Sequence, residues 1–169
     1  PSRLCSENIK TPGVLNLVSV ARISPEKGTL HALRFLSEIT SGKVCFDLYG
    51  PVYYEAYWQE CRKVINELPA NITVTWHGPI EGKKIPEILA QAHFLLMPTE
   101  GENFGHSILE ALSAGCPVII SDRTPWRDLE INKAGFDLPL EDPAAFVKSL
   151  VQALEMNDET YQEWSHGAF

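Results

Sequence analysis

Apolar residues recur along this chain with two alternating periods. Residues 15–21 (LNLVSVA), 44–49, 72–76, 93–97 and 117–121 are short runs rich in Val, Leu, Ile and Phe. Several are closed by a breaker such as Gly50-Pro51 or Gly78-Pro79. Runs of this kind predict buried strands. Between them the spacing becomes helical. Leu30, Leu33, Leu36 and Ile39 follow Gly28, and Ser41-Gly42 ends the repeat. Residues 53–68 carry Trp58, Val64, Ile65 and Leu68, residues 85–92 form a shorter helix, and another helix opens after Gly105. The pattern loosens beyond Asp122. Thr124-Pro125-Trp126 predicts a turn with a short helix as its extension, and residues 135–138 a last short strand. Asp142-Pro143 predicts a helix with Pro at its first position, continued by Phe146, Leu150 and Leu154. Strand and helix thus alternate about five times, which predicts an α/β fold. The expected architecture is a Rossmann-like parallel sheet with helices on both faces and right-handed crossovers.

Candidate chemistry concentrates in residues 100–122, EGENFGHSILEALSAGCPVIISD. Glu102 and Glu110 flank a Phe104-Gly105 turn and the opening of a helix, between two apolar strands. That order places two carboxylates at the C-terminal end of a strand, where open parallel sheets bind ligands. A Gly at the turn lets backbone N–H groups approach a phosphate. Helical side chains lean toward the N-terminus, so Glu110 aims back over His106 and Ser107. The bland alternative for Glu110 is an ordinary exposed helix carboxylate. Glu100 also precedes a Gly, ten residues before Glu110. The helix dipole disfavours a cationic His106 while Glu110 favours it, and the default for His106 is a structural or polar contact rather than a general base. At the other end of the chain, Arg22 and Lys27 bracket the loop that leaves the first strand. Taken singly, each is by default a solvated loop charge.

Composition narrows the classes. All 169 residues suit one domain. An apolar fraction of 44% and a charged fraction of 21% are ordinary for a globular chain. A net charge of −8 argues against nonspecific binding to nucleic acid or an anionic membrane, while leaving room for a local basic pocket. Cys5, Cys45, Cys61 and Cys116 are widely spaced without Cys-x-x-Cys, which points to free thiols in a reducing compartment over a disulfide or zinc site. No apolar run approaches the ~18 residues a membrane span needs. No Asp-x-Asp and no His/Cys cluster at metal spacing is present, so no metal is expected. The chain begins at Pro1 without Met or a signal-like segment, which suggests a processed chain or a piece of a longer one.

Five fragments, taken in order, resemble the nucleotide-sugar-binding half of GT-B glycosyltransferases, specifically the large retaining family called glycosyltransferase group 1 (family four). They are VARISPEKG (20–28), LYGP (48–51), VTWHGPI (74–80), PTEGENFGHSILEALSAGCPVIISD (98–122) and AGFDLPLEDPAAFVKSL (134–150). The resemblance covers about residues 13–155. It departs from the pattern at Ala21, where Gly is common before Arg22, and at Tyr49-Gly50-Pro51, which has one Gly where two are usual.

The resemblance implies a single Rossmann-like donor-binding domain over residues 1–169, one half of a GT-B fold, with the N-terminal acceptor-binding domain absent. It implies transfer of a hexose-type sugar, with retention, from a uridine- or guanosine-diphosphate donor to a glycan or lipid-linked acceptor in polysaccharide biosynthesis, without metal or other cofactor. Glu102, Arg22 and Lys27 are the implied catalytic residues, the two cations stabilising charge on the departing phosphate. Glu110 is the implied ribose ligand, and Asn103, Phe104, Gly105, His106 and Ile80 are further donor contacts. Pro79 and Ile80 would meet the base through their backbone. Phe104 is a packing anchor as a side chain. Trp126 and Arg127 stand where many relatives carry paired Gly, either packing or facing the cleft. The isolated half is expected to be inactive and cytoplasmic, with any membrane association residing in the absent half. Three alternatives remain: a GT-B-shaped sugar-nucleotide epimerase or phosphorylase, a non-catalytic nucleotide-binding or interaction module, and a dehydrogenase. The last lacks the Gly-x-Gly-x-x-Gly loop and is the weakest.

Overall fold

In the computed structural model, residues 9–102 and 105–169 are described. Six strands form one parallel sheet: β1 (Val14–Val20), β2 (Lys43–Tyr49), β3 (Ile72–Trp76), β4 (Phe94–Met97), β5 (Val118–Ser121) and β6 (Gly135–Leu138). The helices are α1 (Thr29–Leu36), α2 (Glu55–Glu67), α3 (Ile85–Gln91), α4 (His106–Ser113), α5 (Pro143–Glu155) and α6 (Asp158–Ala168). Spatial order is β3-β2-β1-β4-β5-β6. The chain therefore winds one way from β1 and then reverses, so β1 and β4 flank the switch point.

The two sides of the strands feed two cores. Leu15, Leu17, Val44, Phe46, Phe94, Leu96 and Ile119 point to the side of α1, α2 and α5. Val18, Val20, Leu95, Met97, Val118 and Ile120 point to the side of α3 and α4. Every residue of β4 and β5 is buried, which explains their unbroken apolar runs. Cover is thinner over β2 and β3. Cys45, Asp47 and Tyr49 are half-buried there, Thr73 and Thr75 are exposed, and a groove of about 600 Å³ separates them from α3.

Local chemistry sets the later helices. Asp142 accepts a hydrogen bond from Ala145 N (3.2 Å), and Pro143 takes the first position of α5. Asn157 accepts from Thr160 N (2.9 Å) and begins α6. The far end of α5 is closed by Lys10, which is 1% exposed. Its Nζ donates to the carbonyls of Leu154 (2.8 Å), Thr11 (3.0 Å) and Met156 (3.1 Å). An ammonium suits a helix C-terminus, where carbonyls lack intrahelical partners.

Two expectations are corrected, and one helix is added. Helix α1 ends at Leu36, so Ile39 lies outside it but remains in the core at 2% exposure. No helix follows Thr124; the segment is a turn in which Thr124 Oγ1 accepts from Trp126 N (3.0 Å). Helix α6 was not predicted. Its Tyr161 and Trp164 are buried, with Tyr161 Oη donating to the His93 carbonyl (2.9 Å) and Trp164 stacked on Phe136 (4.9 Å).

Candidate functional site

The crevice at the switch point is built by the loops that leave β1 and β4. The β1 loop first runs beside the loop after β2, with Ile23 N donating to the Pro51 carbonyl (2.8 Å). It then makes a 3-10 turn, Pro25–Lys27, and docks on the β4 loop. Glu100 N and Thr99 Oγ1 both donate to the Glu26 carbonyl, each at 2.8 Å. Gly28 makes this approach possible. It has φ 75°, and a Cβ there would lie 2.0 Å from the Pro98 carbonyl oxygen. Glu26 itself is exposed, and the neighbouring Ser24 side chain, then its own backbone N–H, hold its carboxyl below the ordinary value.

Docking brings together two residues 75 positions apart. Lys27 Nζ lies 2.5 Å from Glu102 Oε2, with 19% and 14% of the side chains exposed. Glu102 is fixed through its backbone as well, its N–H donating to the Arg123 carbonyl (3.0 Å). An ammonium has three donors, so Lys27 keeps two after serving Glu102. The pair thus sets a cation and a carboxylate side by side at the crevice.

Helix α4 supplies the next wall. Gly105 is its N-cap with φ 62°, and Trp126 fits against it so closely that a Cβ would lie 2.7 Å from the indole nitrogen. Trp126 is therefore a packing residue under the turn; Arg127 is exposed. Ser107 Oγ donates to the Val20 carbonyl (2.7 Å), which ties the first turn of α4 to the end of β1. His106 is exposed at the first helical position, and Glu110 is half-buried one turn on. The first turn of α4 carries the partial positive charge of a helix N-terminus. Asn103 and Phe104 lie outside the described residues.

The other expected residues sit apart. Arg22 is exposed and leans to the β2 side, its guanidinium carbon 5.3 Å above the Tyr53 ring centroid. Ile80 follows β3, two strands from β1, and packs half-buried against the core beside α3. Near it, His77 stacks on Tyr49 (4.5 Å) and shares a hydrogen bond with Asp47 (2.8 Å). Burial, then the Asp47 charge, raises the Tyr49 phenol above its ordinary value. Among the described residues, no three His, Cys, Asp or Glu side chains gather as around a metal ion, and no helix is long and apolar enough to cross a membrane.

A family model described as "Glycosyl transferases group 1" matches residues 7–169. The chain belongs to that family. Its curated relatives include an uncharacterised 41.2 kDa protein in the cps region of Klebsiella pneumoniae, 26% identical over 118 residues, covering 70% of this chain and 30% of the relative. Another is the sulfoquinovosyl transferase SQD2 of Arabidopsis thaliana, 27% identical over 103 residues, 61% of this chain and 18% of the relative. Among solved structures, Anabaena HepE in complex with UDP and glucose superimposes with a TM-score of 0.71 at 18% identity. That match covers 97% of this chain and 43% of HepE, so the chain spans less than half the length of these proteins. The likeness to HepE establishes the Rossmann-like fold of a GT-B half.

The loop that carries Glu102 is held by two buried hydroxyls. Thr99 is fully buried, and its hydroxyl reaches the Glu26 and Gly101 carbonyls (2.8 and 3.0 Å) while accepting from Gly101 N (3.2 Å). Ser121 Oγ donates to the Thr99 carbonyl (2.5 Å). Small hydroxyl residues at strand ends were the available signal; their partners come from three separate loops and have no sequence spacing.

Proposed function

We propose that this chain is the donor-binding half of a retaining glycosyltransferase that moves a hexose-type sugar from a uridine- or guanosine-diphosphate donor to a glycan or lipid-linked acceptor, in making a polysaccharide or related glycoconjugate. The observation that carries this reading is the Lys27–Glu102 pair, set at the switch-point crevice of a group 1 glycosyl transferase. In this reading Lys27 and Arg22 meet the diphosphate, helix α4 points its N-terminal amides at it, and Glu110 accepts hydrogen bonds from the ribose diol. Gly105 and His106, with Asn103 and Phe104, line the donor, and Ile80 meets the base. Glu102, oriented by Lys27, lies beside the anomeric carbon.

In the reaction the bond from the anomeric carbon to the phosphate oxygen breaks, and a bond to the acceptor oxygen forms on the same face. The acceptor's proton passes to the leaving phosphate. Lys27 and Arg22 stabilise the charge that gathers on that phosphate, an interaction stronger in the transition state than in the ground state. A second, acceptor-binding half completes the enzyme. The relatives' greater length supports this, and the chain alone is expected to be inactive in a cytoplasmic setting.

Calorimetric titration of uridine and guanosine diphosphates, and of their glucose and mannose conjugates, tests the reading. Binding of one series is expected, weakened about ten-fold or more by Lys27→Met through loss of charge-assisted hydrogen bonds. No binding of any nucleotide, or binding indifferent to Lys27→Met and Glu110→Gln, overturns it and favours a non-catalytic module.

A further inference from the structure

Arg22 and Lys27 leave the same loop but part company. Lys27 turns to the β4 side and pairs with Glu102, while Arg22 turns to the β2 side and lies over Tyr53. We propose that Tyr53 is a positioning residue for Arg22: its ring is the platform that holds the guanidinium on the β2 side of the β1 loop for the diphosphate. This inference rests on the reading above, that Arg22 meets a phosphate.

Three observations carry it. First, Tyr53 is 59% exposed, so its ring is not held there by burial in the core. Second, the loop bearing Tyr53 is fastened to the loop bearing Arg22. Ile23 N donates to the Pro51 carbonyl (2.8 Å), Tyr53 N to the Ile23 carbonyl (3.4 Å), and Ile23 and Val52 form an isolated parallel bridge. Ring and guanidinium are thus set by one small piece of backbone rather than by chance side-chain encounter. Third, the chemistry of the two groups is compatible with a simultaneous ligand. A guanidinium over a ring is attracted to the π-face as a cation, so its five N–H donors are not taken up by an oxygen acceptor. Phosphate recognition uses those donors. A Tyr platform therefore orders Arg22 without competing for the donors a diphosphate needs. A carboxylate partner in its place would neutralise the charge and occupy the donors.

Ordering raises affinity by increasing the fraction of molecules ready to bind. A cation–π contact at an exposed site corresponds to about a two- to five-fold change in that affinity. The experiment is titration of uridine and guanosine diphosphates into the intact chain, with Tyr53→Ala, Tyr53→Phe, Arg22→Ala and the Arg22→Ala/Tyr53→Ala double variant, each checked for an unchanged melting temperature. Tyr53→Ala is expected to weaken binding about two- to five-fold. Tyr53→Phe, which keeps the ring and drops the hydroxyl, restores it. In the Arg22→Ala background Tyr53→Ala has no further effect, because a platform with nothing on it does nothing. Independently of any nucleotide, the Arg22 Nε–H resonance should carry a ring-current shift that Tyr53→Phe keeps and Tyr53→Ala abolishes. Unchanged or tighter binding by Tyr53→Ala overturns the proposal, as does additivity in the double variant or an Arg22 resonance indifferent to residue 53. Loss of binding in Arg22→Ala with none in Tyr53→Ala overturns the platform alone. Absence of nucleotide binding by the unmodified chain removes the reading beneath it, and the platform falls with it.

Discussion

Substituting Gly28 by Ala puts a methyl group where two loops of the crevice touch. The new Cβ would lie 2.0 Å from the Pro98 carbonyl oxygen, 2.6 Å from its carbon and 3.3 Å from the ring Cγ. Two costs follow. A φ of 75° is strained for any L-residue with a Cβ, about 1–2 kcal/mol. Relieving the overlap means moving backbone at the end of a fully buried strand, an overpacking cost of about 1–3 kcal/mol. The sum is about 2–5 kcal/mol, and in a chain of this length each kcal/mol lowers the melting temperature by about 2–4 °C. Urea unfolding and thermal melts of Gly28→Ala read this directly. Gly28→Asn separates the terms: Asn tolerates the left-handed backbone but keeps the Cβ. It is expected to remain destabilised by the overlap. A Gly28→Ala chain within ~0.5 kcal/mol of the parent, a typical surface effect, would refute the close approach of the two loops. So would a Gly28→Asn chain restored to full stability.

Three further outcomes are expected elsewhere. Burial pushes the Lys10 ammonium down to about 8 from 10.5, so between those values the unfolded chain binds more protons than the folded one. Stability contributed by this group therefore rises from pH ~8 to ~10.5, by up to ~1.4 kcal/mol per unit, and falls away again as pH drops through ~8. Across that range the denaturation midpoint of the parent should gain steadily on that of Lys10→Met, since the opposing titrations of Cys61 and Tyr57, both raised by burial, are common to the two. Lys10→Met should also cost about 1–3 kcal/mol near neutral pH, because the Met156 carbonyl loses its ammonium donor while Leu154 keeps the Gly13 N–H (2.8 Å). Asp142→Ala removes the cap on Ala145 N and should destabilise by ~1 kcal/mol in a urea melt, with Pro143 still holding the helix start.

What the sequence made legible follows from how local each cause is. Strands β4 and β5 were plain because all their residues are buried and all but Ser121 are apolar. Helix α5 was plain because its cap and Pro are adjacent. Helix α1 was overextended because Ile39 continues the helical spacing while being buried from a turn. Helix α6 has Tyr161, Trp164, Ser165 and Ala168 at helical spacing, yet its polar first turn hid a face whose partners lie at His93 and Gly115. In the site, Lys27 and Glu102 were each singled out through the resemblance. Their contact was not, since it depends on Gly28, Thr99 and Ser121 locking two loops together. Arg22 over Tyr53 was hidden for the same reason: the contact belongs to paired loops, not to any motif.

The pairing of β1 with β4 is short, Leu17 with Phe94 and Val18 with Leu95, whereas β1 and β2 pair along seven residues. The sheet is thus two plates joined at a narrow weld. Beyond Val18 the joining is taken over by other means: the Ser107 hydroxyl on the Val20 carbonyl, and Lys27 on Glu102. A molecule gripped by Arg22 on one plate and by the first turn of α4 on the other would close a ring of contacts around that weld. Its binding free energy would then add to the cohesion of the sheet itself, and slow exchange of amides in β1 and β4 would report its arrival.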